Sequence, residues 1–169
     1  MIIEINVRNG RELIRAFRQL PASTKNEVDT EMRSVGDDLI SYIQESKLSG
    51  QVLNRKSGML ANSLNTQLKV NIVNVRLDVT ANTPYAAIHE MGGQTGPHTI
   101  TATKATLLRF IGRDGTIQYR KSVNHPGSHI PERSYLRSAM LDKADEIKNR
   151  IKDAMMRGVQ KELGAVGDF

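Results

Sequence analysis

Residues 68–81 read LKVNIVNVRLDVTA, and apolar and polar residues alternate along this stretch in two opposite phases. The phase changes between Ile72 and Val73. Because successive side chains of a strand point to opposite faces, a one-residue slip moves the whole apolar set to the other face of a sheet. The stretch therefore predicts either two antiparallel strands that turn near residues 71–75, which we favour, or one strand that carries a bulge.

Helical patterns precede this stretch. Residues 9–20, NGRELIRAFRQL, carry an apolar stripe that ends before Pro21, and a longer helical pattern follows as far as about Glu45. Between that helix and the strands, residues 46–57 have no periodicity. We expect them to form a mobile loop that becomes ordered against a neighbouring subunit.

The segments after the strands also have clear signals. TPYAAIHEMGG at residues 83–93 predicts a short helix that Gly92 can end with a positive φ. TLLRFIGRDGTIQYRKSV at residues 106–123 predicts a hairpin, because glycines and Asp114 stand between two alternating runs. A long amphipathic pattern then extends from about Ser134 to Leu163.

Helices at both ends and strands in the middle predict an α+β fold. We expect a small antiparallel sheet packed by an N-terminal helix pair and a long C-terminal helix. The 169 residues are enough for one domain that buries about 70% of its unfolded surface, so residues 1–169 are taken as a single domain. No apolar run approaches the roughly 20 residues that a membrane span needs, and no membrane contact is expected.

The chain has a net charge of +6 and no cysteine. A basic surface can meet nucleic acid, an anionic membrane or an acidic protein. A basic nucleic-acid-binding module that uses the second hairpin remains an alternative, and its candidate DNA-facing residues are Arg109, Arg113, Arg120 and Lys121. The charges are nevertheless dispersed, and the seven aromatic residues include no tryptophan, which disfavours a stacking platform for single strands.

The histidines offer the only metal hypothesis. His125 and His129 have the four-residue spacing of a helical zinc pair, but Pro126 and Gly127 lie between them and interrupt a helix. A loop site that adds His98 would make a metal-dependent hydrolase, the least favoured alternative. No nucleophile elbow, phosphate loop or dinucleotide fingerprint is present. The sequence therefore predicts a chain that is not an enzyme, with no catalytic residue, metal site or cofactor.

The segment NHPGSHIPERSYLR at residues 124–137 has a different candidate role. Its prolines restrict the backbone before the last helix, so ordering it in a complex costs less entropy. Arginine and tyrosine are favoured as interface anchors, which makes Arg133 and Tyr135 candidates. Leu136 is expected to hold the helix on the sheet, and for Tyr135 the same core role is an equal alternative.

Three segments resemble one family in their order along the chain. They are SGMLANSL at 57–64, YAAIHEMGG at 85–93 and IPERSYLRSAM at 130–140. The chain thereby resembles the tail-completion and head–tail joining proteins of tailed bacteriophages and prophages, which include neck, minor tail and virion morphogenesis proteins. It departs from the family's pattern at Glu132, where a small residue is usual, and at Ser134 and Tyr135, where proline and phenylalanine are usual.

The resemblance implies a structural virion protein needed for tail completion or head–tail joining. It implies a homo-oligomeric ring, hexameric or dodecameric, at the head–tail junction or the head-proximal tail end. Expected partners are other neck, connector and tail proteins, with non-specific contact to genomic DNA. The protein would reside in the virion, and in the host cytoplasm during assembly. The matching interface or structural positions are Tyr85, Glu90, Gly92, Pro131, Arg133, Tyr135 and Leu136.

Overall fold

The computed structural model describes residues 2–4, 20–54, 56–70, 75–112 and 114–166. A three-stranded antiparallel sheet has the order β1-β3-β2. Its strands are β1 (Ile2–Glu4), β2 (Leu64–Val70) and β3 (Val75–Ala81). Strands β2 and β3 pair with Val70 opposite Val75, which confirms the predicted hairpin over the single bulged strand.

Two long antiparallel helices pack together beside the sheet. Helix α1 (Ala22–Tyr42) continues as a π-helical turn (Ile43–Lys47), and the last helix of the chain runs from Tyr135 to Val166. Two short helices lie between them, α2 (Met59–Asn62) and α3 (Ala86–Met91), so the last helix is α4. The α+β prediction is confirmed. Of the predicted helix at residues 9–20, residues 9–19 lie outside the described residues and Leu20 is a bend.

A glycine permits a close approach of the long helices. Gly158 of α4 is buried against Thr24 of α1, and a Cβ atom at position 158 would overlap the backbone of Thr24. The hydroxyl of Ser23 donates to the carbonyl oxygen of Gly158 at 3.2 Å. A glycine that is unfavourable inside an isolated helix is therefore explained by packing.

The apolar seam of α1 fills one side of the core. Val28, Val35, Leu39 and Ile43 are all at most 4% exposed. The inward face of β3 meets this seam through Leu77, Val79 and Ala81. The core cluster joins α1, the sheet, the short helices and the start of α4, with the members Leu39, Ile43, Leu48, Leu53, Ala61, Leu64, Val79, Ala81, Ala86, Tyr135, Leu136 and Ala139.

Residues 93–130, which we call the arm, form one long interrupted hairpin. Three two-stranded ribbons are nested in it: β4–β9, β5–β8 and β6–β7. None of the described arm residues is buried. The strands are β4 (Gly93–Gln94), β5 (His98–Thr101), β6 (Leu108–Ile111), β7 (Ile117–Arg120), β8 (Ser122–His125) and β9 (His129–Ile130).

The predicted hairpin at residues 106–123 is confirmed at its tip. The amide of Gly112 donates to the carbonyl oxygen of Thr116 at 2.8 Å, and Gly115 has φ +78°. The sequence prediction did not include the other two ribbons. Ser122 and Val123 leave the hairpin strand and pair with β5.

In the segment at residues 46–57, the first two residues belong to the π-helical turn, and Leu48, Val52 and Leu53 contact the core. Leu48 and Leu53 are buried, and the amide of Gly50 donates to the carbonyl oxygen of Leu53 at 3.0 Å. The predicted mobility of this loop stays a prediction. Among the described helices, none combines the length and apolar content needed to cross a lipid bilayer.

Candidate functional site

The three family-like segments meet in one part of the core. Ala61 and Leu64 come from the first, Ala86 from the second, and Tyr135 and Leu136 from the third. The second and third segments also make direct polar contacts with each other. We call the region formed by residues 85–93 and 130–137 the junction.

Glu90 caps helix α4 from across the junction. Its side chain is buried, and its two carboxylate oxygens accept hydrogen bonds from the backbone amides of Leu136 and Arg137, each at 2.8 Å. The hydroxyl of Ser134 also donates to Glu90, at 3.0 Å. The first amides of a helix have no partner within the helix, and a carboxylate there also meets the positive end of the helix dipole. Glu90 therefore fixes where α4 begins.

Gly92 allows the two segments to cross. It has φ +70° and ψ −178°, a conformation that other residues rarely adopt. A Cβ atom at this position would lie 2.7 Å from the backbone nitrogen of Glu132. The predicted positive φ is confirmed, and close approach gives a second reason for glycine. Beside it, the amide of Arg133 donates to the carbonyl oxygen of His89 at 2.8 Å.

Tyr135 is part of the core. Its side chain is fully buried, and its hydroxyl donates to the carbonyl oxygen of Ala86 at 3.4 Å. Burial raises the pKa of Tyr135, and the nearby negative charge of Glu90 raises that pKa further. Of the two roles that the sequence left open for Tyr135, this burial supports the core role, because its ring packs inside the subunit. Leu136 is buried beside it, as expected.

The outer surface of the junction is formed by other residues. Pro131 and Arg133 are exposed, and Met91 is 61% exposed. Tyr85 is half-buried and its ring meets the ring of His89 edge-on, with 5.8 Å between centroids. Of the two predicted anchors, Arg133 alone remains available to a neighbour. The predicted contact roles of these residues stay predictions.

The basic residues of the arm do not share one face. Arg109 lies opposite Tyr119 in the β6–β7 ribbon, whereas Arg120 lies opposite Leu108, one position further along. Neighbouring positions of a strand point to opposite faces, so the two arginines point in opposite directions. Lys121 is exposed beyond β7, and Arg113 lies outside the described residues. The described positions do not form a single DNA-binding surface.

The histidines of the arm form a pair. His98 lies opposite His125 in the β5–β8 ribbon, with 5.1 Å between the ring centroids. The Nδ1 atom of His125 accepts a hydrogen bond from the amide of Gly127 at 3.0 Å, while His129 lies opposite Gln94. In the described ranges, no three histidine, aspartate or glutamate side chains are grouped so that they could hold a metal ion. The three-histidine site is therefore not assembled there.

A charged ladder between α1 and α4 was missed by the sequence analysis. Arg150 pairs with Glu31 and Asp38, each at 2.6 Å, and Arg157 pairs with Glu31 at 2.7 Å. Arg150 and then Arg157 lower the pKa of Glu31, against the effect of partial burial. The sequence contained a signal for this ladder. Glu31 and Asp38 on α1 are seven residues apart, and so are Arg150 and Arg157 on α4.

The same helices border an open groove of about 190 Å³. Its apolar wall contains Val35, Leu39 and Ile147, together with the ring of Tyr42. Small-molecule sites are usually about 300–1,000 Å³, so this groove is better suited to a side chain. Its polar rim is formed by Asp38, Ser41, Glu45, Lys143, Glu146 and Arg150.

Comparison with protein families gives a match to the phage virion morphogenesis family over residues 37–160. The matched range contains more than half of the chain, including the whole junction and the whole arm. Comparisons with curated proteins and with solved structures give no significant match.

Proposed function

This chain belongs to the phage virion morphogenesis family, and on that premise we propose that it forms a homo-oligomeric ring in the virion. The ring lies at the head–tail junction or at the head-proximal end of the tail, where it completes the tail or joins it to the head. Family membership supports a structural role in building the virion. The ring and its position are the proposal.

One observation carries the proposal: large apolar side chains remain exposed outside the core. Ile111, Ile117 and Tyr119 on the arm are more than half exposed, as are Leu141 and Leu163 on α4. Ile111, Ile117 and Tyr119 share one face of their hairpin, and a contiguous exposed apolar face marks a site where other molecules bind. If this face binds a different surface of the neighbouring subunit, the contact is head-to-tail. Head-to-tail contacts of this kind close into a ring when the rotation between subunits permits.

The junction supports the proposal by presenting its outer residues on a rigid base. Glu90 and Gly92 fix the approach of the two segments, so Pro131 and Arg133 occupy defined positions on the surface. An anchor that is already ordered loses little entropy when it binds. We therefore place Arg133 in the contact with a neighbouring subunit or with another neck or tail protein.

The ring is tested on the purified protein by native mass spectrometry and by electron microscopy of negatively stained particles. The expected result is one closed oligomer of fixed mass. In a lysate of a phage that lacks this protein, we expect separate heads and tails, each of normal appearance. A protein that stays monomeric even when mixed with its neck and tail partners would contradict the ring.

The role of Arg133 is tested by Arg133→Ala. The exposed Lys152 on α4 supplies a matched control, Lys152→Ala. We expect Arg133→Ala to fold normally and to weaken association or head–tail joining, while the control changes neither. Normal particles and joined virions from the Arg133→Ala variant would remove Arg133 from the contact without affecting the ring proposal.

A further inference from the structure

The β6–β7 ribbon has one face that is apolar and exposed. Arg109 lies opposite Tyr119 on this face, and Ile111 lies opposite Ile117. Ile111 is 73% exposed, Tyr119 is 53% exposed and Ile117 is 51% exposed. We call these four residues the ribbon face. The other side of the ribbon carries Arg120, which gives an internal comparison.

A ribbon of this kind is incomplete as an isolated element. Two-stranded hairpins are marginally stable in water and usually need a third strand or a packed face. Leu108 and Phe110, on the opposite side of the ribbon, are half-buried. The apolar side chains of the ribbon face are more than half exposed, so no described residue covers that face. Tyrosine and arginine are enriched in protein interfaces, and the two isoleucines add apolar area, which points to a protein occupant.

The groove between α1 and α4 offers a matching surface. Its floor is formed by Val35 and Leu39, each only 2% exposed, while the partly buried Ile147 and Tyr42 supply its accessible apolar surface. Its size suits an inserted side chain such as that of Tyr119. Glu45 stands on its rim, is exposed and makes no ion pair with any described residue. Arg109 likewise makes no ion pair with any described residue. An unpaired acid beside an apolar groove complements an unpaired arginine beside apolar side chains.

We propose that the ribbon face of one subunit packs into the α1–α4 groove of a second copy of this chain, with Arg109 beside Glu45. This inference rests on the proposed ring, for which it supplies the contact. The two surfaces are different parts of one chain, so the contact is head-to-tail and can repeat around a ring. Nucleic acid fits the ribbon face less well, because that face has one positive charge among three large apolar side chains, whereas DNA interfaces are strongly positive.

The contact is tested by disulfide cross-linking, for which the chain is suited because it has no cysteine. Tyr119→Cys and Glu45→Cys are made in separate proteins with tags of different size and then mixed. Under mild oxidation we expect a mixed disulfide dimer. Arg120→Cys mixed with Glu45→Cys is the control, because residue 120 is exposed on the opposite side of the ribbon. Equal cross-linking from positions 119 and 120 would overturn the proposed docking face.

Charge reversal tests the same contact without cross-linking. Arg109→Glu is expected to weaken association by about tenfold or more, and the double variant Arg109→Glu with Glu45→Arg is expected to regain it. Arg120→Glu is the matched control and should assemble as wild type. Normal assembly of Arg109→Glu, an equal defect in Arg120→Glu, or altered DNA retention with normal assembly would each overturn the contact while the ring stands. A wild-type protein that never oligomerises would overturn both.

Discussion

The carboxylate of Glu90 accepts a hydrogen bond from the backbone amide of Leu136 at 2.8 Å, across 46 residues of sequence. Helices are usually capped by a residue that directly precedes them. Here the cap comes from a different helix, so the start of α4 and the end of α3 are fixed by the same contact. Loss of that contact disturbs both helices and the arm that connects them.

Replacing Glu90 by Ala is expected to lower the free energy of unfolding by about 2 kcal/mol or more, because two backbone amides lose a buried acceptor. Urea unfolding followed by circular dichroism measures the change. Glu132→Ala is the matched control, since Glu132 is an exposed acid in the same junction that pairs with Arg137. Its effect should stay within about 0.5 kcal/mol. Equal effects of the two substitutions would contradict the capping role.

Gly92→Ala is expected to destabilise the fold by at least about 2 kcal/mol, through backbone strain and a clash with Glu132. Two other glycines separate these causes. Gly115 has a positive φ but no close neighbour, so Gly115→Ala should cost about 1–2 kcal/mol. Gly96 has neither a positive φ nor a close neighbour, so Gly96→Ala should be near neutral. Melting temperatures of the three variants give the order. A neutral Gly92→Ala would refute the close crossing.

Tyr135→Ala is expected to destabilise the subunit by about 3–5 kcal/mol, because a large core ring is removed. Tyr135→Phe should cost about 1 kcal/mol, since it loses only the hydroxyl contact with Ala86. Arg133→Ala, on the exposed residue two positions earlier, should change stability by less than about 0.5 kcal/mol. Denaturant midpoints test all three. A Tyr135→Ala variant as stable as wild type would contradict the core position of the Tyr135 ring.

Because the pKa of Tyr135 is raised, this residue contributes to the pH dependence of stability at alkaline pH. In the unfolded chain a tyrosine loses its proton near pH 10, while the folded state retains it. The folded state therefore binds more protons above pH 10, and the stability contributed by Tyr135 is complete below that pH and falls as the pH rises. Tyr135→Phe should show a shallower loss of stability between pH 9 and 11. Identical pH profiles would contradict the shift.

The ladder between α1 and α4 gives the opposite pH dependence. Arg150 and Arg157 lower the pKa of Glu31, so the stabilisation is present above the ordinary pKa of a glutamate and is lost as the pH falls through the lowered value. Arg150→Gln should cost about 1 kcal/mol at pH 7. The difference from wild type should shrink by pH 3. Arg33→Gln, which breaks the more exposed pair with Asp29, is the control and should show less than half of this effect.

Residues 46–57 are expected to exchange their amide hydrogens rapidly in the free subunit and slowly after assembly, apart from the core-anchored positions Leu48 and Leu53. Hydrogen exchange with mass spectrometry compares the two states. Ala154 and Gly158 of α4, which are buried and do not line the groove, serve as an internal reference that should not change. Strong protection of the whole loop in both states would refute the predicted mobility.

Elements with a regular apolar period were predictable from the sequence. The seam of α1, the stripe of α4 and the β2–β3 alternation each bury one face, and the turn at Gly115 follows a local rule. The β4–β9 and β5–β8 ribbons were not predicted. Their strands of two to four residues are too short to show a period, and none of their described residues is buried.

The junction was only partly predictable. Gly92 could be read from its place after a short helix, but the partner of Glu90 lies in another segment and no local pattern indicates it. Tyr135 and Leu136 are adjacent and so lie about 100° apart around the helix, and the sequence pattern does not decide whether both face the core. Both are buried because α3 covers the first turn of α4 while the core receives its other side.

Ser23 and Gly158, which pair across α1 and α4, are 135 residues apart, so the two helices are synthesised at different times. At about 5–20 residues per second, α1 leaves the ribosome many seconds before its partner helix exists. During that interval the seam of α1 lacks the cover that α4 provides, and the cap at Glu90 has no helix to hold. The groove that we propose as a docking site forms when the second helix arrives. In the proposed contact, a chain that has not yet been synthesised through α4 therefore presents no groove to a neighbouring subunit.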